Sequence, residues 1–278
     1  VLTDRAGTLA EQVDRLPVLE REPPAPLPAP PPRPAAWRAG EGAVAGLPPA
    51  VQTDPADEDP WPFDPLQAGP LQFDNGTGGF SADGREYVIT VAPGRPTPAP
   101  WSNLLANPVL GAVVTESGAG YSWGENAHEY RLTPWDNDPV CDSSGEAFYL
   151  RDEDSGHLWS PTPLPCPGSG AYRVRHGFGY SVFEHVEDGI HSELWLYVDA
   201  ELAVKYSVLR LRNLSGRARR LSATGYVEWV LADLRSRSQM HLITDVDIAS
   251  GVLTARNPFN GDFEGRCAFF DVDAGVNP

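Results

Sequence analysis

The sequence predicts an all-β fold built from antiparallel strands. From residue 71 onward, short apolar or alternating runs are separated by Gly, Pro, Asn and Asp, as is typical of strands joined by turns. Two of these runs flank an Asp188-Gly189 pair, and glycine supplies the positive φ that a tight hairpin needs. No long helical period is evident in this region. We therefore expect residues 69–278 to form a large antiparallel β-sandwich.

The residues before this region have a different composition. Thr8-Leu9-Ala10-Glu11 has the spacing of a helix capping box, so residues 1–16 are predicted to be the end of an upstream helix. Eight of the twelve residues 23–34 are proline, which holds the backbone extended and removes amide donors. Residues 17–68 are therefore predicted to be a Pro-rich linker. The start at Val1 and the open end at residue 278 predict a fragment of a longer polypeptide, truncated within the sandwich.

Eight segments of the β region have the composition of strands. They are residues 85–91, 111–116, 147–151, 171–176, 180–186, 190–198, 206–212 and 221–230. Side chains alternate along a strand, so Ile190 and Leu194 are expected to face the core, and His191 and Glu193 to form a surface pair on the other face. A second hairpin is predicted between the last two segments, across residues 213–216.

Charge and cysteine content restrict the partners. The formal net charge of -17 argues against a nucleic-acid partner, because such proteins carry a clustered positive surface. No stretch approaches the roughly 18 apolar residues of a membrane span, so no direct insertion into a membrane is expected. Cys141, Cys166 and Cys267 match neither a disulfide framework nor a zinc pattern, which favours a reducing compartment.

No metal site and no catalytic group are predicted in this chain. In the acidic run Asp136, Asp138 and Asp142, Val140 stands where a calcium loop needs an oxygen ligand. His191 lies on a predicted strand with no third metal ligand nearby. Two carboxylates act as a glycosidase pair only at a suitable separation across a bound sugar, and spacing in sequence does not supply that distance.

Residues 101–159 are dense in aromatic and hydrogen-bonding side chains. Sugars present hydroxyls at their rims and C–H faces that stack on aromatic rings, so this mixture suits carbohydrate. The same residue types also fill the cores of β-sandwiches and build turns, and both interpretations stay open at this point. The side chains concerned are Trp101, Asn103, Tyr121, Trp123, Glu125, Asn126, Arg131, Trp135, Asp136, Asn137 and Asp138.

Several sequence blocks resemble one known family. In chain order, they include FDNGTGGFSADGREYVI, PAPWSNLLANP, GYSWGENAHEYRLTPWDNDPV, YRVRHGFGYSVFEH and ARNPFNGDFEGRCAFFD. They closely resemble the N-terminal sandwich of family 94 glycoside phosphorylases, with the C-terminal module of cyclic β-1,2-glucan synthases as the nearest likeness. The resemblance implies a galactose-mutarotase-like super-sandwich that packs against a helical α/α-barrel further along the chain.

The resemblance also implies a reaction, an assembly and a location. The barrel of such enzymes carries the general-acid aspartate, and inorganic phosphate is the co-substrate that releases α-glucose 1-phosphate from a β-linked glucan. No other cofactor is implied. A homodimer is expected, as is a place on the cytoplasmic side of an inner-membrane multidomain protein.

The resemblance singles out residues 121–138 as the loop that would reach the substrate cleft. Arg131 would orient sugar hydroxyls or pair with a carboxylate, and Trp123 and Trp135 would stack on the sugar. The full set of candidate substrate-binding residues is Tyr121, Trp123, Glu125, Arg131, Trp135 and Asp138.

Two alternatives remain beside this non-catalytic part of an enzyme. One is a free-standing carbohydrate-binding sandwich, supported by the aromatic content. The other is a purely structural or dimerising domain without contact to sugar.

Overall fold

The structure is a computed structural model and describes residues 69–273. These residues form antiparallel strands with one short helix and one short 3-10 turn, which confirms the predicted all-β class. The predicted helix end at residues 1–16 and the linker at 17–68 lie outside the described residues. No helix in the described part is long and apolar enough to cross a bilayer.

The strands follow one another closely along the chain. They are β1 Gly78–Phe80, β2 Glu86–Val91, β3 Ser102–Ala106, β4 Leu110–Thr115, β5 Gly120–Gly124, β6 Glu146–Asp152, β7 Leu158–Trp159, β8 Tyr172–Gly177, β9 Tyr180–Glu187, β10 Ile190–Val198, β11 Lys205–Asn213, β12 Leu221–Val227, β13 Ile243–Val246, β14 Leu253–Arg256 and β15 Ala268–Phe270. The helix α1, Arg235–Ser238, lies between β12 and β13, and the 3-10 turn Gly261–Phe263 precedes β15.

The strands form one large sheet and three small ones in the described residues. The large sheet has six strands in the order β1-β2-β8-β9-β10-β11. The small sheets have the orders β3-β4-β5, β12-β6-β7 and β13-β14-β15. The strands outside the eight predicted segments each have five residues or fewer, too short for a clear alternating pattern; they are β1, β3, β5, β7, β13, β14 and β15.

The hairpin predicted at Asp188-Gly189 is confirmed. Strands β9 and β10 pair in antiparallel register, with Glu187 opposite Ile190. Asp188 has a φ of 53° and Gly189 a φ of 75°, so both turn residues adopt the left-handed conformation that matches the twist of a two-residue hairpin.

The second predicted hairpin is wrong. Strand β11 pairs with β10 along all nine of its residues, whereas β12 pairs with β6. The connection holds β12 to β6, because Arg219 donates to the buried carboxylate of Asp152 at 2.7 Å and Arg220 binds Asp154. Local turn composition therefore permitted a hairpin, but these long-range ion pairs join β12 to a different sheet.

The main core lies between the large sheet and the β3-β4-β5 sheet. Leu194, Phe183, Val174 and Ile89 are successive register partners across four strands of the large sheet, and they form one apolar row. This row packs against Leu105 of β3 and Val114 of β4. Burial of each such side chain contributes about 1.5–3 kcal/mol.

A second contact lies on the same face of the large sheet. There Ile190 packs with Leu150 and Trp159 of the β12-β6-β7 sheet. The core assignment of Ile190 and Leu194 is thus confirmed. The interpretation of His191 and Glu193 as a surface pair is wrong, since both are buried on the opposite face.

Candidate functional site

Strand β5 carries two of the predicted sugar-binding residues. Tyr121 pairs with Val113 and Trp123 with Gly111, on the face of the β3-β4-β5 sheet that points away from the core. Gly111 is required at this position, because a Cβ there would overlap the indole ring of Trp123. The cross-strand glycine therefore lets the indole lie flat across the sheet.

Three aromatic rings meet on this outward face. The Tyr121 ring stacks on Trp135 with a centroid distance of 5.1 Å and an interplanar angle of 28°. The Tyr121 and Trp123 ring centroids are also 5.1 Å apart, with an interplanar angle of 36°. Tyr121 is buried between the two indoles, which are themselves half-buried. We refer to Tyr121, Trp123 and Trp135 as the aromatic trio.

Arg131 joins the aromatic trio. Its guanidinium carbon lies 5.8 Å from the Tyr121 ring centroid, and Nη1 donates to the carbonyl of Trp135 at 3.1 Å. The main chain of Arg131 bridges to Trp123 on one side and to Ala232 on the other. Its buried Nε has no hydrogen-bond partner among residues 69–273. An unsatisfied buried donor costs about 1–3 kcal/mol, so this N–H is a group that a water molecule or a ligand can satisfy.

The surroundings of Tyr121 keep its phenol protonated. Burial raises its pKa above the ordinary tyrosine value, although the positive charge of Arg131 opposes the shift. The phenol is therefore neutral at physiological pH, and its hydroxyl donates weakly to the carbonyl of Ala127 at 3.4 Å.

The structure does not bring Glu125 into the aromatic trio. Its carboxylate accepts a hydrogen bond from Arg266 Nε at 2.6 Å. This hydrogen bond, together with the guanidinium charge, lowers the pKa of Glu125. The side chain is exposed and connects the β5 end to the turn before β15, so its role in the described residues is an ion pair between distant segments.

Asp138 also lies apart from the rings and closes a turn. Its Oδ1 accepts from the backbone N–H of Val140 at 2.9 Å and of Cys141 at 3.3 Å. These bonds lower the pKa of the carboxyl group. The neighbouring Asp142 accepts from Thr115 Oγ1 at 2.7 Å and fastens the turn to β4. The acidic run thus shapes the loop that carries Trp135.

A cleft beside this loop was missed by sequence reasoning. It has a volume of about 360 Å³ and is lined by polar groups that include Asp136, Ser144, Glu228, Arg235 and Gln239. Glu228 and Arg235 form an ion pair within it. No linear pattern could have identified this cleft, since Asp136 and Arg235 are brought together only by the pairing of β12 with β6.

The arrangement places aromatic rings next to a guanidinium donor, a combination that can bind a sugar. Glu125 and Asp138 are committed to structural contacts instead. In the described range 69–273, no three His, Cys, Asp or Glu side chains are grouped so as to hold a metal ion.

Comparison with known proteins gives a consistent result. Residues 85–277 match the family model described as glycosyl hydrolase 94, supersandwich domain. The chain is 41% identical over 212 residues to the cyclic beta-(1,2)-glucan synthase NdvB of Rhizobium meliloti (strain 1021), an overlap of 76% of this chain and 8% of that protein. It is 36% identical over 172 residues to the N,N'-diacetylchitobiose phosphorylase of Vibrio proteolyticus, an overlap of 59% of this chain and 20% of the relative.

A third relative has another sugar in its name. The solabiose phosphorylase of Paenibacillus borealis is 30% identical over 160 residues, which covers 56% of this chain and 20% of that protein. The chain therefore spans a fifth or less of the length of these three relatives.

Proposed function

Since the chain belongs to the glycosyl hydrolase 94 supersandwich domain family, we propose that it is the non-catalytic sandwich of a longer glycoside phosphorylase. The reaction it supports is phosphorolysis of a β-glucan by inorganic phosphate, which yields α-glucose 1-phosphate. Similarity to a cyclic β-1,2-glucan synthase favours β-1,2-glucan as the substrate. A helical barrel elsewhere in the longer polypeptide supplies the general acid.

The aromatic trio is the observation that carries a sugar-contacting role. Its rings are held against one another and against Arg131, so a stacking surface exists before the ligand arrives. Binding to a surface of this kind does not have to order the side chains, which reduces the entropic cost of association. The polar cleft beside Trp135 extends the surface with carboxylate and guanidinium groups.

The contact is tested by Arg131→Ala and Trp135→Ala in the full-length polypeptide. Each change removes binding that is equal in the ground state and the transition state, so KM for glucan should rise about tenfold while kcat stays within about twofold. Phe73→Ala, which removes an exposed ring distant from β5 in sequence, serves as the control and should leave both constants unchanged. Steady-state phosphorolysis kinetics measure both constants, and an unchanged KM would remove the role assigned to the aromatic trio.

The proposal includes an assembly and a location. A homodimer and a place on the cytoplasmic side of an inner-membrane protein are supported by the resemblance to glucan synthases, and by nothing in the described contacts. The alternative function is a free-standing carbohydrate-binding sandwich. In that case the chain would bind glucan, and no longer polypeptide that contains it would catalyse phosphorolysis.

A further inference from the structure

A second group of aromatic residues lies on the large sheet, on the face opposite the main core. Register partners form rows across this face, and one row runs Glu86, Gly177, Tyr180, Tyr197 and Tyr206 over five strands. The next row includes Trp195, which is paired with Val182 on one side and Val208 on the other. We refer to Tyr180, Trp195, Tyr197 and Tyr206 as the aromatic platform.

The rings of the aromatic platform form two contacting pairs on neighbouring strands. The Tyr180 and Trp195 centroids are 5.3 Å apart, and those of Tyr197 and Tyr206 are 5.1 Å apart with an interplanar angle of 27°. Tyr180 and Tyr197 are direct register partners, which connects the two pairs. Tyr206 is 37% exposed and the other three rings are half-buried, so each retains a surface for a ligand.

Polar contacts hold two of these rings in place. Tyr180 lies across Gly177, where a Cβ would overlap its ring, and its hydroxyl donates to Glu86 Oε1 at 2.8 Å. The indole Nε1 of Trp195 donates to Glu193 Oε1 at 2.6 Å. Both rings are thus anchored through their polar edges.

Ionised groups surround the rings in matched pairs. Arg175 bonds Glu86 at 2.6 Å and Glu184 at 3.1 Å, and its guanidinium carbon lies 5.5 Å from the Trp195 centroid. Arg210 bonds Glu193 at 3.1 Å. Burial acts to raise the pKa of Glu184, but hydrogen bonds from Arg173 and the charges of both arginines hold the pKa below its usual range. Glu184 is therefore ionised and paired with both arginines.

The described elements that pack on the large sheet use its other face. The hydrophobic clusters of residues 69–273 contain Leu194, Leu196 and Ile190 of β10, and none of the aromatic platform. In a sandwich, the outward faces of two packed sheets point away from each other. The aromatic platform and the aromatic trio consequently lie on opposite sides of the main core.

We propose that the aromatic platform is a second sugar-binding surface, occupied by the pyranose rings of a β-linked glucan. Pyranose C–H faces stack on exposed rings, and sugar hydroxyls match the carboxylate and guanidinium groups at their edges. A protein partner fits less well, because the core of a protein interface is depleted of acidic residues, whereas Glu193 and Glu86 lie among these rings. Only the identity of the glucan rests on the proposed function.

The position of the aromatic platform predicts an effect that depends on chain length. A trisaccharide is too short to reach both outward faces, while a long glucan that crosses the edge of the sandwich can engage both. Simultaneous contact raises the apparent affinity for the long chain without any new contact at the aromatic trio.

The test compares a long linear β-1,2-glucan with a trisaccharide in the full-length polypeptide. Trp195→Ala combined with Tyr206→Ala should raise the Kd for the long glucan about tenfold by calorimetry, and leave kcat/KM for trisaccharide phosphorolysis within about twofold. Phe269→Ala, an exposed strand aromatic of the β13-β14-β15 sheet, is the control and should change neither value. Where circular dichroism shows that the double variant does not fold, Tyr206→Ala alone carries the test, because Tyr206 lies on the edge strand β11.

The outcomes separate this proposal from the proposed function. An unchanged Kd for the long glucan overturns the aromatic platform as a sugar site, whatever Arg131→Ala does to the kinetics. A change in oligomeric mass with an unchanged Kd also overturns it, and assigns the face to a protein contact. A higher Kd for the long glucan, with unchanged kcat/KM for the trisaccharide, supports the aromatic platform as a sugar site. It does so even where substitutions in the aromatic trio leave the kinetics unchanged.

Discussion

The buried His176 shows how a single residue affects the pH range in which this sandwich is stable. His176 of β8 bonds Ser181 Oγ at 2.9 Å and the carbonyl of Trp101 at 3.1 Å. Burial lowers its pKa to about 4, and the bond to Trp101 opposes the shift only in part. Both ring nitrogens of His176 have a hydrogen-bond partner without a charge on the ring, so its role in the described structure is to tie β8 to the segment before β3.

The depressed pKa of His176 predicts a loss of stability in weak acid. The unfolded state binds the proton with an ordinary pKa of about 6.5, so stability is fully present above pH 6.5 and falls as the pH drops toward 4. The contribution is about 3 kcal/mol over this window. Hydrogen exchange of β8 peptides in the full-length polypeptide, at pH values corrected for intrinsic rates, measures the loss.

A control variant distinguishes His176 from the other histidines. His176→Asn should flatten the pH dependence of β8 opening between pH 4 and 6.5. His128→Asn changes a side chain that is 69% exposed and should keep the dependence of the parent protein. An equal slope in both variants would show that His176 is not the group responsible.

At the scale of elements, the β9–β10 hairpin organises the large sheet. Its second strand, β10, is paired along its length with β9 on one side and with β11 on the other. The same strand supplies Leu194 to the core and Trp195 to the outward face. A correct hairpin register is therefore a condition for both the core and the aromatic platform, because a slip of one residue would exchange the two faces.

The turn of this hairpin predicts a stability change on adding one methyl group. Gly189 has a φ of 75°, and a Cβ there would lie 2.9 Å from Cβ of Ser215. Gly189→Ala should lower the free energy of unfolding by about 1–2 kcal/mol, because the left-handed conformation is unfavourable for a residue with a side chain. The melting temperature of the sandwich transition, followed by calorimetry, reports the change.

The chain offers a matched glycine as the control. Gly261 begins the 3-10 turn Gly261–Phe263, and a Cβ there would meet no atom within 4 Å. Gly261→Ala should shift the melting temperature little or upward. A drop equal to that of Gly189→Ala would contradict the turn-based explanation.

At the scale of the whole molecule, the negative net charge distinguishes an uncharged glucan from polyanionic partners. The formal net charge is -17, which repels polyanions, whereas a glucan carries no charge and is not affected by this field. Binding of linear β-1,2-glucan should therefore change less than about twofold in Kd between low and high salt, because screening acts only on charged partners. Calorimetric titration at both ionic strengths measures this, with heparin as a polyanion that should not bind. A steep salt dependence would indicate a charged ligand instead.

Local patterns in the sequence determined the longer strands, the β9–β10 hairpin and the alternation that separates Leu194 from Glu193. These features depend on neighbours a few residues apart, where period-two alternation and turn chemistry act directly. The same patterns could not decide the partner of β12, because a loop of turn-forming residues is compatible with a hairpin or with a change of sheet. The family was identified from the resemblance of sequence blocks, because strand periodicity alone does not distinguish one β-sandwich family from another.

The tertiary structure decided which side chains meet. It brought Tyr121, Trp123, Trp135 and Arg131 together, and it paired Glu125 with Arg266, 141 residues away. It also assembled the aromatic platform from three strands and buried Glu193 beneath it. The physical reason is that sheet register and long-range ion pairs are set by the packing of the whole domain, and a short stretch of sequence contains no information about the strand that will lie beside it.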